Sequence, residues 1–234
     1  MNQTRGYINR ILLVMVPLLF MSYGLANDIY VTQSGDTLDL DITQDGQNNT
    51  VGNSTTSSSS VGATTTLNID QIGNSNVITY QINGDTYTGV INLVGNSNNV
   101  DLNCDSTGNN SSCGTANAVI NFTGSSNDID LDIGQTSSAN NADVDIVGQS
   151  GSDSNVVAAT VDGNSAILSI TVNGDTNNWL IDIDGNGDVN GHTLIHSHTG
   201  GIADVDIVQS GVNDQIINLT TSGDNHDIDI SQTD

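Results

Sequence analysis

Glycines recur eleven residues apart in three parts of the chain, and this period restricts the fold more than any other feature of the sequence. It relates Gly35 to Gly46, Gly73 to Gly84 and Gly95, and Gly163 to Gly174 and Gly185. Between the glycines apolar and polar residues alternate; in NVITYQINGD, Ile78, Tyr80 and Ile82 share one parity. Because this alternation is typical of a strand with one buried face, each unit is predicted to hold one short strand and one turn.

A strand of this length cannot bury its apolar face alone, whereas strands stacked in register form a continuous core. Two units per turn predict an all-β fold, a β-solenoid of stacked strand-turn-strand coils with about 22 residues per coil. Aspartate is the outward residue of the alternating segments at 128–133 and 227–230. An antiparallel β-sandwich also suits turns at this spacing, but it rarely keeps one turn motif throughout, so the period favours the solenoid.

The predicted corners share a glycine with asparagine three residues later, and some have glutamine two residues before the glycine. The motif residues are Gln44, Gly46 and Asn49; Gln71, Gly73 and Asn76; Gly95 and Asn98; Gly124 and Asn127; Gly174 and Asn177; and Gln209 with Gly211. Glycine and asparagine tolerate the positive φ of tight turns. Asparagines that align coil over coil can form a hydrogen-bonded ladder. The serine tract at 54–60 and the cysteine loop are predicted to bulge from this regular body.

The first residues have the pattern of a signal peptide. Arg5 and Arg10 precede the apolar run ILLVMVPLLFM, and small residues then end at Ala26. This pattern predicts a cleaved signal peptide at residues 1–26, followed by a single solenoid domain at 27–234. The run is shorter than the roughly 20 residues that span a bilayer, which disfavours the alternative of a retained anchor. We therefore expect a secreted protein, located outside the cell or on its surface.

The charge of the chain is strongly negative. It has 27 acidic residues against 2 arginines, and both arginines lie in the predicted signal peptide. Phosphate backbones and anionic membranes would be repelled, so we expect no nucleic-acid partner and no membrane insertion. Stacked coils would also bring aspartates close together without basic partners. Folding or assembly is therefore expected to depend on salt, divalent cations or acid.

Cys104 and Cys113 are the only cysteines in the sequence. In an oxidising compartment they are predicted to form a disulfide that closes a small loop, with two free thiols as the alternative. By loop entropy such a bond contributes roughly 2–3 kcal/mol to stability.

The segment IDIDGNGDVNGHT contains the best candidates for a metal site. Asp182, Asp184, Asn186 and Asp188 alternate as in the first half of a calcium loop, and calcium is the candidate ligand. The twelfth position is Thr193, where such loops have a bidentate glutamate. The missing glutamate favours the alternative that these are ordinary outward aspartates of a strand that runs into a turn.

Three histidines share one parity in HTLIHSH, namely His192, His196 and His198. Imidazoles on one face can hold zinc or copper, but strand geometry alone does not set tetrahedral ligands, which favours a structural role. Asp130 and Asp132 have the spacing of a carboxylate pair, yet the same spacing recurs in several strands, which indicates a solvated face. We expect no catalytic residues, no enzymatic activity and no required cofactor.

The Gln-x-Gly-x-x-Asn units resemble the repeat of the curlin family, the secreted bacterial subunits of curli amyloid fibres. The match is complete at Gln44-Gly46-Asn49 and Gln71-Gly73-Asn76 and partial at the other corner units. The resemblance implies a β-solenoid that stacks end to end with copies of itself or with a related fibre subunit. It also implies export through an outer-membrane secretion pore and a role in biofilm matrix and surface adhesion. The residues also allow a monomeric acidic extracellular solenoid that binds calcium or a surface polysaccharide.

Overall fold

The computed structural model describes residues 27–53, 55–104, 113–134, 141–163, 165–184, 192–211 and 215–233. The predicted signal peptide lies outside the described residues. The strands are β1 Asp28–Ile29, β2 Thr32–Ser34, β3 Thr37–Asp45, β4 Thr50–Val51, β5 Ser58–Ile72, β6 Val77–Val94, β7 Asn99–Cys104, β8 Thr115–Thr123, β9 Asp128–Ile133, β10 Asn141–Gly148, β11 Val156–Asp162, β12 Ala166–Asn173, β13 Asn177–Asp184, β14 Thr193–Thr199, β15 Ala203–Ser210, β16 Ile216–Ser222 and β17 His226–Thr233. No helix capable of crossing a membrane occurs within these ranges.

Every strand pairing among the described residues is parallel, and from β8 onward each strand pairs with the strand two places before it and, where one follows, with the strand two places after it. Each turn of the chain therefore adds one strand to each of two faces, so the predicted β-solenoid is confirmed. Face A consists of β3, β8, β10, β12, β14 and β16 with the C-terminal parts of β5 and β6. Face B consists of β1, β2, β4, β7, β9, β11, β13, β15 and β17 with the N-terminal parts of β5 and β6.

The coils are unequal in length. Equivalent residues are 22 positions apart where the chain has no insertion, as between Asn76 and Asn98, and 29 apart between Asn98 and Asn127. The predicted value of about 22 therefore describes the shortest coils. The eleven-residue glycine spacing corresponds to half a coil, because Gly73 and Gly84 lie at opposite corners.

The prediction that the serine tract at 54–60 is a loop is wrong for its last residues. β5 begins at Ser58, and the side chains of Ser58 and Ser60 are buried. Ser58 Oγ accepts a hydrogen bond of 3.0 Å from the Val31 amide of the preceding coil, so this part of the tract belongs to the stack.

The core lies between the two faces and consists of columns, each column being the residues at equivalent positions in successive coils. One column on face A comprises Ile42, Ile69, Ile91, Ile120, Ile146 and Ile170. All six side chains are buried, and burial of one isoleucine side chain stabilises a fold by roughly 1.5–3 kcal/mol. In the neighbouring column, Gly89 lies between Leu67 and Ala118. A side chain at this position would collide with the ring of Tyr87, because a Cβ on Gly89 would lie 2.2 Å from the Tyr87 hydroxyl.

Candidate functional site

Buried asparagines form a ladder along the corner that leads from face A to face B. Each Nδ2 group donates to Oδ1 of the asparagine in the next coil, at 2.9 Å from Asn76 to Asn98, 2.9 Å from Asn98 to Asn127, 3.0 Å from Asn127 to Asn155 and 3.1 Å from Asn155 to Asn177. The backbone amides of the first four asparagines donate to the same oxygens. The ladder thus satisfies polar groups that would otherwise be costly to bury.

The corner conformation places each asparagine in the ladder. Nδ2 of Asn98 also donates to the Gly95 carbonyl within the same corner, at 2.9 Å. The residue before each asparagine of the ladder has a left-handed backbone, as at Ser97 with φ of 58°. Gly95 has φ of 146°, and a Cβ there would lie 1.4 Å from the Gly73 carbonyl oxygen of the neighbouring coil. The corner glycine is therefore required by both its backbone angle and the close approach of the coils.

The Gly-x-x-Asn motif does not identify Asn155, which is a member of the ladder, and it does not indicate where the ladder ends. Asn155 follows Gly151 by four residues, so the Gly-x-x-Asn spacing does not find it, although Ser154 before it has φ of 55°. After Asn177 the column continues with Ala203 and then His226. At the opposite end, Asn27 donates to Asn49 Oδ1 at 3.4 Å.

The motif glutamines occupy two different corners. Gln71 Nε2 donates to Gln44 Oε1 at 2.7 Å, and both side chains are buried on face A. Gln209 was aligned with them, but it pairs with Ile183 and Gln232 on face B. Gln209 and Gly211 therefore belong to the other corner. Successive pairings place Gln209 in the column that begins at Gln33.

The predicted disulfide between Cys104 and Cys113 is present, with the two Cα atoms 5.6 Å apart. Both residues are buried. The bond joins the end of β7 to the segment that enters β8, so it closes the insertion of this coil at its base. The intervening residues 105–112 lie outside the described ranges.

The candidate calcium residues are only partly described. Asp182 lies on the outer surface of β13 and Asp184 ends that strand, whereas Asn186 and Asp188 lie outside the described residues. His192, His196 and His198 lie on one side of their coil, as their shared parity predicts, and the structure shows that this side faces the core. Among the described residues, no three histidine, cysteine or acidic side chains are grouped so that they can hold a metal ion.

Amide and carboxylate side chains alternate along parts of the outer surface. Asn68 Nδ2 donates to Asp41 at 2.8 Å, and Asn92 Nδ2 donates to Asp70 at 2.6 Å. Aspartates are directly opposed in successive coils at Asp101 and Asp130, Asp204 and Asp227, and Asp206 and Asp229. The repulsion expected from the charge of the chain is thus confined to some columns and relieved by asparagine in others.

Asp130 is a strongly perturbed carboxylate of this surface. Partial burial, with the neighbouring charges of Asp132, Asp101 and Asp128, raises the pKa of Asp130 to about 6. Burial also raises the pKa of Asp101.

The two ends of the described solenoid present equivalent positions to the solvent. In β17 the inward residue Ile230 is 48% exposed, and Ile217 of β16 is only partly buried. At the other end, Ile29 and Leu40 are likewise partly buried. Comparisons of the chain with protein-family models, with curated proteins and with solved structures find no match.

Proposed function

We propose that the protein is a secreted structural subunit of curli-like extracellular amyloid fibres, and that it acts in biofilm matrix and surface adhesion. The proposal combines the Gln-x-Gly-x-x-Asn resemblance to curlins with a specific feature of the solenoid ends. In several columns the first residue, at one end of the solenoid, and the last residue, at the other end, have side chains of the same type. A second copy of the chain is therefore the partner that fits each end.

The supporting observation is the register of these columns. Following the pairings from coil to coil relates Ile29 to Ile228, Val31 to Ile230, Gln33 to Gln232, Leu40 to Ile217, and Ile42 to Leu219. If β16 and β17 of one copy pair with β3 and β1–β2 of the next, apolar residues cover apolar residues in four of these five columns. The fifth column continues as a glutamine stack, since Gln232 Nε2 already donates to Gln209 Oε1 at 3.3 Å within the chain.

The outer surface of such a joint contains one favourable and one unfavourable pair. Asn218 shares a column with Asp41, so an amide would meet a carboxylate, as Asn68 meets Asp41 within the chain. Asp227 shares a column with Asp28, so two carboxylates would oppose each other across the joint. Like charges in directly opposed positions destabilise a pairing by up to about 1 kcal/mol, which makes joint formation sensitive to salt.

Fibre growth of an end variant tests the proposal. Ile230→Lys places a charge in the core column at the open end, and we expect it to abolish fibres in negative-stain micrographs and the rise in thioflavin fluorescence. The control is Val208→Lys, which adds the same charge to an outward position of β15 that is 40% exposed; it should assemble like the parent chain. If the parent protein stays monomeric under all conditions, the result favours the alternative, a monomeric acidic solenoid that binds calcium or a surface polysaccharide.

If the parent chain forms fibres and Ile230→Lys forms them as readily as the control does, the fibres form through another surface. Circular dichroism of both variants establishes that each is folded before assembly is scored.

A further inference from the structure

A cluster of aromatic rings occupies the core at the C-terminal end of the solenoid. The chain has 4 histidines and one tryptophan; two of the histidines adjoin Trp179, and a third adjoins one of these two. The ring of Trp179 on β13 lies 5.3 Å from that of His196 and 6.4 Å from that of His198, measured between ring centroids. His198 in turn lies 5.2 Å from His226 of β17, edge to face. The cluster therefore joins three strands that belong to successive coils.

The imidazole nitrogens of this cluster have no hydrogen-bond partners. Both ring nitrogens of His196, His198 and His226 are buried and unpaired, and so is Nε1 of Trp179. His196 and His198 are 0% exposed. His192 differs, because its Nδ1 accepts the Ala166 amide at 3.2 Å.

The column neighbours of the two buried rings carry no charge that could balance an imidazolium. In its column His196 lies between Ile170 and Leu219. His198 lies between Val172 and Thr221, and none of these four residues carries a charge. In the corner column Ala203 takes the place of an asparagine and lies next to His226. The rings thus pack as neutral aromatic groups, and an imidazolium would be buried among apolar atoms.

The carboxylates of the surrounding elements lie on the solvent side. Asp182 of β13, Asp204 and Asp206 of β15, Asp224 before β17, and Asp227 and Asp229 of β17 alternate with the inward residues or lie in a corner. β12, β14 and β16 contain no charged residue other than the histidines themselves. Asp175, in the corner before β13, raises the pKa of His198, but burial and His226 act more strongly and lower it. Burial, assisted by His198, lowers the pKa of His196 to about 4.

We propose that His196 and His198 form an acid-sensitive latch: while their two buried rings are neutral, they hold β14–β17 closed on Trp179, and their protonation opens these last coils. A histidine that is neutral in the folded state favours folding above the ordinary histidine pKa. Its contribution is lost as pH falls from about 6.5 towards the folded value, because the open state then binds more protons. Asp101 and Asp130, whose pKa values are raised, act in the opposite direction, so these two carboxylates do not account for an acid-induced loss of structure.

The fluorescence of Trp179, the only tryptophan, reports directly on the cluster. Between pH 7.5 and pH 5 we expect a red shift and quenching of its emission. In parallel, hydrogen exchange of amides in β14–β17, corrected for the intrinsic rate, should rise relative to that in β7–β12. From the folded pKa of about 4 for His196, the opening equilibrium of these strands should increase about 10- to 30-fold over this range.

The variant His196→Ile/His198→Val has the residues that the preceding coil has in these columns, Ile170 and Val172. It should abolish both the change in Trp179 emission and the rise in hydrogen exchange. His192→Asn removes a histidine outside the cluster while retaining an acceptor for the Ala166 amide, and it should keep both. Unchanged emission and exchange of the parent protein between pH 7.5 and pH 5 would overturn the proposal, even if the double variant did not fold. An equal acid transition in a folded double variant would overturn it as well.

Discussion

The side-chain amide of Asn98 donates a 2.9 Å hydrogen bond to Oδ1 of Asn127, a residue 29 positions later in the chain. The same oxygen accepts the backbone amide of Asn98 at 3.1 Å. One asparagine side chain therefore joins two coils and completes the corner of its own coil, since Asn127 Nδ2 also donates to the Gly124 carbonyl. Several buried polar groups depend on this single residue.

Removal of one ladder asparagine is expected to be costly. Asn127→Ala leaves buried donors and acceptors of two neighbouring coils without partners, and we expect a loss of about 2–4 kcal/mol in the free energy of unfolding. The control Asn99→Ala removes an exposed amide whose contact with Asp128 is 3.5 Å long, and it should change stability by less than about 0.5 kcal/mol. Urea denaturation measures both; equal effects would contradict the role assigned to the ladder.

Replacement of the corner glycine Gly95 is expected to be costly for two reasons, the positive φ of its backbone and the close approach of the neighbouring coil. Gly95→Ala introduces a Cβ 1.4 Å from the Gly73 carbonyl oxygen, so we expect a loss of several kcal/mol or failure to fold. Gly151 also has positive φ, 83°, but nothing lies within 4 Å of its Cβ position, so Gly151→Ala should cost only about 1–2 kcal/mol. Thermal unfolding of the two variants separates the cost of the steric contact from the cost of the backbone angle. Similar losses of stability would mean that the coils can move apart to accommodate the Cβ.

The disulfide is expected to stabilise the coil that it closes. Cys104→Ala/Cys113→Ala should lower the free energy of unfolding by roughly 2–3 kcal/mol, since the unfolded chain gains the freedom of the opened loop. Reduction of the parent protein should give a similar loss in urea denaturation. The reductant should leave the double variant unchanged, and any effect on it would point to a cause other than this bond.

The charge of Asp130 is expected to destabilise the protein at neutral pH. Its raised pKa, about 6, means that the protonated carboxyl favours the folded state: this contribution is complete below about pH 4 and is lost as pH rises through about 6. Asp130→Asn should therefore raise the melting temperature by about 2 °C at pH 7 and by nothing at pH 4. The control Asp145→Asn alters a carboxylate that has Val119 and Ser169 as column neighbours. A gain for Asp130→Asn at pH 4 equal to that at pH 7 would rule out a charge effect.

Fibre growth at pH 7 is expected to require screening of the joint. Calcium or salt should shorten the lag phase of light scattering, because the screening length falls from about 8 Å at 0.15 M to about 3 Å at 1 M. Asp227→Asn should reduce this dependence, since Asp227 opposes Asp28 across the proposed joint. Growth that is equally fast in EDTA at low salt and in calcium would contradict the expectation.

The fold follows from the sequence because the constraint is local and repeated. Alternation such as that of Ile78, Tyr80 and Ile82 fixes which side of a strand is buried, and the glycine period fixes the corners. The identity of each corner does not follow, because insertions change the count of residues between coils. That is why Gln209 was aligned with Gln44 although it lies at the opposite corner.

The histidine cluster depends on distances that the sequence does not contain. The parity of His196 and His198 indicates a shared side, and the structure places both inward. Their contacts with Trp179 and His226, however, come from strands on the opposite face that are set by stacking. Local pattern therefore predicts orientation, whereas the partners across the core require the three-dimensional register.

Coils of 22 and of 29 residues contribute to the same asparagine ladder without a break in its spacing. The core pattern is thus preserved although the number of residues between successive asparagines differs. A foreign peptide introduced between Cys104 and Cys113 should accordingly be displayed on the surface of the intact scaffold, and in a polymer it would be repeated once per subunit along the filament.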